Sequence, residues 1–259
     1  MAIIPVNGAM FHVRCDGERS RPAVLMSNSL GTDLSMWDAQ AAVLARRFHV
    51  LRYDTRGHGA SSAPRGPYTI EQLGADVLGI LDHFDIGRAH VVGLSMGGVI
   101  GQWLGVHAPG RIHKLVLANT ASKIGTREAW QARAASVRAE GMDGIAASSP
   151  SRWFTPDFLA RQQITVGAMQ KTVRTLDPEG YAACCEALAA ADLTPDLHRI
   201  GAPTLVIAGA GDPVTTVADA QALASAIRGA ALATLPASHL SNVEAPDRFS
   251  DAVASFLLA

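Results

Sequence analysis

The sequence predicts an α/β fold, a mostly parallel sheet with helices packed on both faces. Short runs such as Leu115-Val116-Leu117 and Leu205-Val206-Ile207 are apolar without alternation, the pattern of strands buried on both sides. Between these runs, apolar residues recur every three or four positions, so strand and helix patterns alternate along the chain. The size fits as well: 259 residues, 48% hydrophobic and 17% charged, can bury a large core as one α/β domain.

Taken in order, strand-type runs fall at Phe11–Arg14, Ala23–Met26, His49–Tyr53, His90–Leu94, Lys114–Ala118, Thr204–Ala208 and Leu232–Leu235. Trp37, Ala41 and Leu44 mark a first helical face. Ile70, Leu73, Val77, Ile80, Leu81 and Phe84 form a fuller stripe, entered by Thr69 with Gln72 three residues on, the spacing of a capping box. Val99–His107 follows the fourth run, and Val217–Ile227 and Phe249–Leu257 close the chain. The rhythm breaks between about Ser122 and Asp192. That stretch shows no strand pattern but carries alanine-rich helical segments, among them Arg127–Glu140 and Glu179–Ala191. It reads as a helical insertion, residues 122–192, within a core of residues 1–121 and 193–259.

Charge and cysteine usage narrow the function classes. The 22 basic and 23 acidic side chains leave a net charge of −1, which gives no footprint for nucleic acid or an anionic membrane. Cys15, Cys184 and Cys185 form no zinc spacing, and the adjacent pair would be strained as a disulfide. They are expected to be buried reduced thiols of a cytoplasmic protein. The start, MAIIPVNGAM, lacks a basic segment and a long apolar run. The most apolar window, Val91–Val106, holds Ser95, Gln102 and five glycines and is too short to span a membrane. No H-E-x-x-H motif and no cluster of metal-ligand spacing is present, so no metal or organic cofactor is expected.

The chemistry-bearing motif is Gly93-Leu94-Ser95-Met96-Gly97, a G-x-S-x-G between an apolar strand run and a helical run. A serine on that sharp turn is pushed up with its Oγ exposed, and flanking glycines are needed where a Cβ would collide with backbone. The turn also opens a helix, whose N–H groups favour developing negative charge. A phosphate loop is the rival, but no G-x-x-x-x-G-K-[ST] occurs.

A serine nucleophile needs a base, and the base needs a group that fixes its tautomer. His239 follows the run Leu232–Leu235, and Asp212 follows Thr204–Ala208 one strand earlier. Both therefore sit at strand C-terminal ends, where open α/β sheets build their sites. The order Ser95, Asp212, His239 matches one known order of such triads. Asp192, Asp196 and Asp219 do not directly follow a strand run, and Asp54 and His58 read mainly as loop structure.

With these residues in view, the chain resembles the α/β-hydrolases over nearly its whole length. The block Arg52-Tyr53-Asp54-Thr55-Arg56-Gly57-His58-Gly59-Ala60-Ser61 resembles the loop after that family's fourth strand. A closer similarity is to the 3-oxoadipate enol-lactonases. It rests on Ser27-Asn28-Ser29-Leu30-Gly31-Thr32-Asp33-Leu34-Ser35-Met36-Trp37, Gly66-Pro67-Tyr68-Thr69-Ile70-Glu71-Gln72-Leu73, Asn119-Thr120-Ala121, Arg152-Trp153-Phe154-Thr155, and Gly180-Tyr181-Ala182 with Cys185-Glu186-Ala187. The segments around Asp212 and His239 match only loosely.

The resemblance implies a mostly parallel central sheet flanked by helices, with a helical cap inserted after the sixth strand. It implies hydrolysis of a carboxylate-bearing enol-lactone, 3-oxoadipate enol-lactone to 3-oxoadipate, in the β-ketoadipate route of aromatic breakdown. The backbone N–H groups of Leu30 and Met96 would form the oxyanion hole. A substrate carboxylate calls for a cation in the cap. Trp130 and Arg133 share one face of Arg127–Glu140 and are the expected ring wall and carboxylate grip. Rival readings are a general carboxylesterase, a C–C hydrolase, or a ligand-binding receptor on the same scaffold. The expected partner is a small molecule, and the sequence carries no signal for oligomeric state.

Overall fold

The computed structural model describes residues 1–259, every one of them in a defined conformation. The chain opens with a hairpin of β1 (Ala2–Val6) and β2 (Ala9–Asp16), followed by β3 (Ala23–Ser27) and a 3-10 turn over Leu34–Trp37. Then come α1 (Asp38–Leu44), β4 (His49–Tyr53), α2 (Ile70–His83), β5 (Ala89–Leu94), α3 (Met96–His107) and β6 (Ile112–Ala118). Five helices intervene before the next strand: α4 (Arg127–Glu140), α5 (Asp143–Trp153), α6 (Pro156–Arg161), α7 (Gln163–Arg174) and α8 (Pro178–Ala190). The chain ends with β7 (Thr204–Gly209), α9 (Val217–Ala226), β8 (Ala231–Leu235), α10 (Ser241–Glu244) and α11 (Pro246–Leu258).

The eight strands form one sheet in the order β1-β2-β4-β3-β5-β6-β7-β8. Only the β1/β2 and β2/β4 pairings are antiparallel; β3 to β8 run parallel. All seven expected strand runs are strands. The runs without alternation are the central ones, and every residue of β3, β4, β5 and β7 is buried. Parallel pairing brings the C-terminal ends of β3 to β8 to one edge, so the loops that leave those ends share one face of the molecule.

One strand, β1, lies outside the expected runs. β1 holds Pro5, which argues against a central strand, and it lies at the sheet edge where proline is tolerated. The signal that finds it is Asn7-Gly8, both at positive φ (45° and 74°), the pair that closes a two-residue hairpin. At α2 the capping box forms by half: Thr69 Oγ1 accepts the Gln72 N–H at 3.0 Å. The three cysteines differ in exposure, against the expectation that all are buried. Cys184 and Cys185 are buried, but Cys15 is exposed: it shares the face of β2 that buries Phe11 and Val13, yet sits at the strand's end, past the cover of the core. No helix is long and apolar enough to cross a membrane.

Candidate active site

Ser95 stands between β5 and α3 with φ 57° and ψ −116°, a conformation that side chains rarely adopt. Such local strain concentrates at functional sites and persists only where the surroundings enforce it. Here they do. The Ser95 N–H donates to the Ala118 carbonyl at 2.9 Å, and the Ser95 carbonyl accepts Thr120 Oγ1 at 2.8 Å. The glycines are obligatory for the reason the motif suggests. A Cβ on Gly93 would lie 2.1 Å from the Gly97 oxygen, and one on Gly97 would lie 2.1 Å from the Ser27 oxygen.

Asp212 and His239 are brought together by the parallel β7/β8 pair, and His239 Nδ1 lies 2.8 Å from Asp212 Oδ2. The same oxygen accepts Thr215 Oγ1 (2.8 Å) and Asn119 Nδ2 (3.0 Å), while Oδ1 accepts the N–H groups of Val214 (2.7 Å) and Thr215 (3.1 Å). Burial pushes the Asp212 carboxyl upward, but the His239 hydrogen bond, its charge and these donors together hold it below the usual carboxylate value. With Nδ1 held by a carboxylate, Nε2 is the ring nitrogen left for proton transfer.

Ser95 and His239 line one cavity of about 230 Å³, with Ser29 and Leu30 on the sheet side. The N–H of Leu30 finds no acceptor in the protein. Met96 is the first residue of α3, where N–H groups lack an intrahelical partner. Residues 27–30 are firmly braced from below. Asn28 Nδ2 donates to the Tyr53 carbonyl (2.8 Å), Asn28 Oδ1 accepts Trp37 Nε1 (2.9 Å), and Ser27 Oγ meets Tyr53 Oη (2.8 Å). Asp54 is loop structure, accepting the N–H groups of Leu34 (2.7 Å) and Ala60 (2.8 Å).

The helical segment between β6 and β7 roofs the cavity. Trp130 lines it with its Nε1 donating to the Ile124 carbonyl at 2.5 Å, and the Arg133 guanidinium stacks 4.7 Å from the Trp130 ring centroid. Arg152, from α5, is a second cation in the lining. Its side chain reaches only Ser149 Oγ, at 3.4 Å. Burial first, and then the Arg133 charge, push its guanidinium below the usual value. The buried Tyr181 hydroxyl, raised by desolvation, stands near both arginines. No group of three or more His, Cys, Asp or Glu side chains is arranged to hold a metal ion.

A model of the α/β hydrolase fold matches residues 22–246. The chain belongs to the α/β-hydrolase family. Among curated relatives of this α/β-hydrolase, 3-oxoadipate enol-lactonase 2 of Acinetobacter baylyi is 53% identical over 92% of this chain and 89% of that protein. 3-Oxoadipate enol-lactonase 1 of the same organism is 41% identical over 96% of this chain and 94% of that one. Among solved structures, the enol-lactonase from Burkholderia xenovorans LB400 superposes with a TM-score of 0.98 at 48% identity, covering all of both chains.

The structure thus places Ser95, His239, Leu30, Trp130 and Arg133 around one cavity, with Asp212 behind His239. Two residues of this α/β-hydrolase's site had no role assigned from sequence. Asn119, at φ 44°, donates to Asp212 Oδ2 and to the Ser238 carbonyl (3.1 Å) and accepts Ser241 Oγ (2.5 Å). Its signals in the sequence are its position just past β6 and its place in the Asn119-Thr120-Ala121 segment, neither of which specifies a partner. Arg152 stood in the quoted Arg152-Trp153-Phe154-Thr155 segment, but its pairing with Arg133 depends on how α5 folds back onto α4.

Proposed function

We propose that the protein hydrolyses a carboxylate-bearing enol-lactone, 3-oxoadipate enol-lactone to 3-oxoadipate, through a Ser95 acyl-enzyme, as a cytoplasmic step in aromatic-compound catabolism. Residues 122–192 act as the cap and residues 1–121 with 193–259 as the core. The observation that carries the substrate class is the pair of guanidinium groups, Arg133 and Arg152, in the nucleophile's own cavity with no carboxylate opposite them. A desolvated cation without a counter-ion is unfavourable unless an anion arrives. The relatives named as enol-lactonases support the same reading.

His239 Nε2 takes the proton of Ser95 as Oγ attacks the lactone carbonyl, and Asp212 stabilises the imidazolium that forms. The developing oxyanion lies against the Leu30 and Met96 N–H groups, each such donor contributing about 3 kcal/mol at the barrier. The ring C–O bond breaks, His239 returns the proton to the enol oxygen, and the enol tautomerises to a ketone. That last change disfavours reclosure by a leaving group that is still tethered. Water, deprotonated by His239, then attacks the acyl carbon, frees Ser95 and leaves a carboxylate. Arg133 and Arg152 hold the substrate's existing carboxylate, and Trp130 walls the ring.

Steady-state kinetics of Arg133→Ala and Arg152→Ala on the enol-lactone and on a neutral ester test the substrate class. Loss of one charge-assisted pair, about 1.5–3 kcal/mol, lowers kcat/KM on the lactone roughly ten- to a hundredfold and spares the neutral ester. Equal losses on both substrates, or a wild type that prefers the neutral ester, would point to a general carboxylesterase instead.

A further inference from the structure

We propose that Thr32 and His58 are positioning residues that aim the Leu30 N–H at the carbonyl oxygen attacked by Ser95. The proposal rests on the oxyanion role of Leu30 given above. Its starting point is the peptide unit. The Leu30 N–H shares a plane with the Ser29 C=O, and in a trans peptide the two point in opposite directions. Whatever fixes the Ser29 oxygen therefore fixes the direction of the Leu30 N–H.

Two donors fix that oxygen, and both belong to Thr32. Its Oγ1 lies 2.8 Å and its backbone N 3.3 Å from the Ser29 oxygen. Thr32 is 1% exposed, so no water competes for the bond. The hydroxyl also lies 2.9 Å from Met36 Sδ, but a thioether is a weak acceptor and the single proton belongs on the carbonyl. The arrangement turns the Leu30 N–H away from Thr32, and Leu30 is a lining residue of the Ser95 cavity.

The next peptide unit is fixed by His58. The Gly31 N–H donates to His58 Nε2 at 3.0 Å, so that nitrogen carries no proton. Nδ1, 3.3 Å from the Arg56 carbonyl, carries it instead. The ring is 1% exposed, and burial favours its neutral form. Gly31 itself sits at φ +87°, a conformation with little restoring force of its own in glycine. Without the imidazole the Leu30–Gly31 peptide could swing and carry Leu30 with it. On the other side, the Asn28 carbonyl accepts the Gly97 N–H at 3.0 Å, which ties this loop to the turn that bears Met96. The two proposed oxyanion donors thus share one frame, closed by two side chains that do not line the Ser95 cavity.

A purely structural role predicts lost stability with unchanged chemistry, so the test separates the two. Thr32→Val, Thr32→Ser and His58→Phe are compared with wild type on the enol-lactone and on p-nitrophenyl acetate. The inhibition constant of a small alkylboronic acid is measured in parallel. The boron accepts an electron pair from Ser95 Oγ as His239 takes the proton, giving a tetrahedral anion that occupies the hole. The proposal predicts that Thr32→Val and His58→Phe each lower kcat about tenfold or more on both substrates, with KM held within about twofold. Boronate affinity falls by a similar factor, and Thr32→Ser retains most of the wild-type kcat. Unchanged kcat in a folded Thr32→Val protein, a change in KM alone, or a kcat loss with unaltered boronate binding would overturn it. So would a Thr32→Val chain that does not fold, since the hydroxyl would then hold the fold and not the donor. The p-nitrophenyl acetate arm keeps this test separate from the lactone reading: a wild type active only on that ester sinks the lactone and leaves the positioning test intact.

Discussion

Asp212 receives five hydrogen bonds, two on one oxygen and three on the other, and only one of them comes from His239. The other four, from Asn119, Val214 and Thr215, leave the carboxylate no freedom to turn. In the proposed mechanism it presents one oxygen to Nδ1 and so fixes the imidazole tautomer. Asp212→Asn keeps the shape but makes one terminal atom a donor, which favours the wrong tautomer. The expected loss in kcat is roughly 10⁴-fold, by analogy with the same change in a serine protease triad, with little change in KM. Single-turnover kinetics on the lactone check it, and a loss of less than about tenfold would remove Asp212 from the proposed mechanism. Asp212 and His239 were legible in the sequence because each follows a strand run at the right chain order. Asn119 was not, since nothing in Asn119-Thr120-Ala121 says that its amide bridges two loops 93 and 119 residues away.

At the scale of elements, the loop carrying His239 is fastened to the helical segment between β6 and β7. The Leu240 N–H donates to the Trp153 carbonyl at 3.1 Å. The Glu244 carboxylate, in α10, accepts the Ser238 N–H at 2.8 Å and also takes the Thr155 N–H and hydroxyl. One acid thus joins the strand-end loop to the start of α6. Glu244→Ala should release both, lowering kcat about tenfold and raising KM for the lactone, because a hydrogen bond to a charged group contributes about 1.5–3 kcal/mol. Glu244→Gln, which keeps an acceptor, should lose less. Identical kinetics for Glu244→Ala and wild type would show that the fastening has no part in catalysis. The helices of this region illustrate what sequence carries. The stripes of α4 and α8 were readable from alanine-rich periodicity. The meeting of Arg133 on α4 with Arg152 on α5 was not, since it depends on how separate helices pack. The edge strand β1 was missed because Pro5 weakens a strand reading that only the Asn7-Gly8 turn restores.

For the molecule as a whole, acid is the expected weakness. His49, His58, His90 and His113 are all held below the ordinary imidazole value of 6.5, with burial the first cause in each, and His90 is pushed down to about 4. Below pH 6.5 the unfolded chain takes up protons that these folded imidazoles refuse, so stability falls as pH drops towards their folded values. Tm should decline steadily from pH 7.5 to 5, and His90→Asn should flatten the decline; a level Tm over that range would contradict this. The sheet explains why the site exists at all, since parallel pairing gathers the ends of β3 to β8, and with them Leu30, Ser95, Asp212 and His239, at one edge. In the proposed function, this edge opens an enol-lactone through Ser95. The direct measurement is the ultraviolet loss of 3-oxoadipate enol-lactone with purified wild type and Ser95→Ala. Rapid loss with wild type, and a kcat lower by roughly 10⁴-fold or more in Ser95→Ala, is the result expected. Turnover that survives Ser95→Ala, or a wild type that leaves the lactone intact while hydrolysing neutral esters, would contradict it.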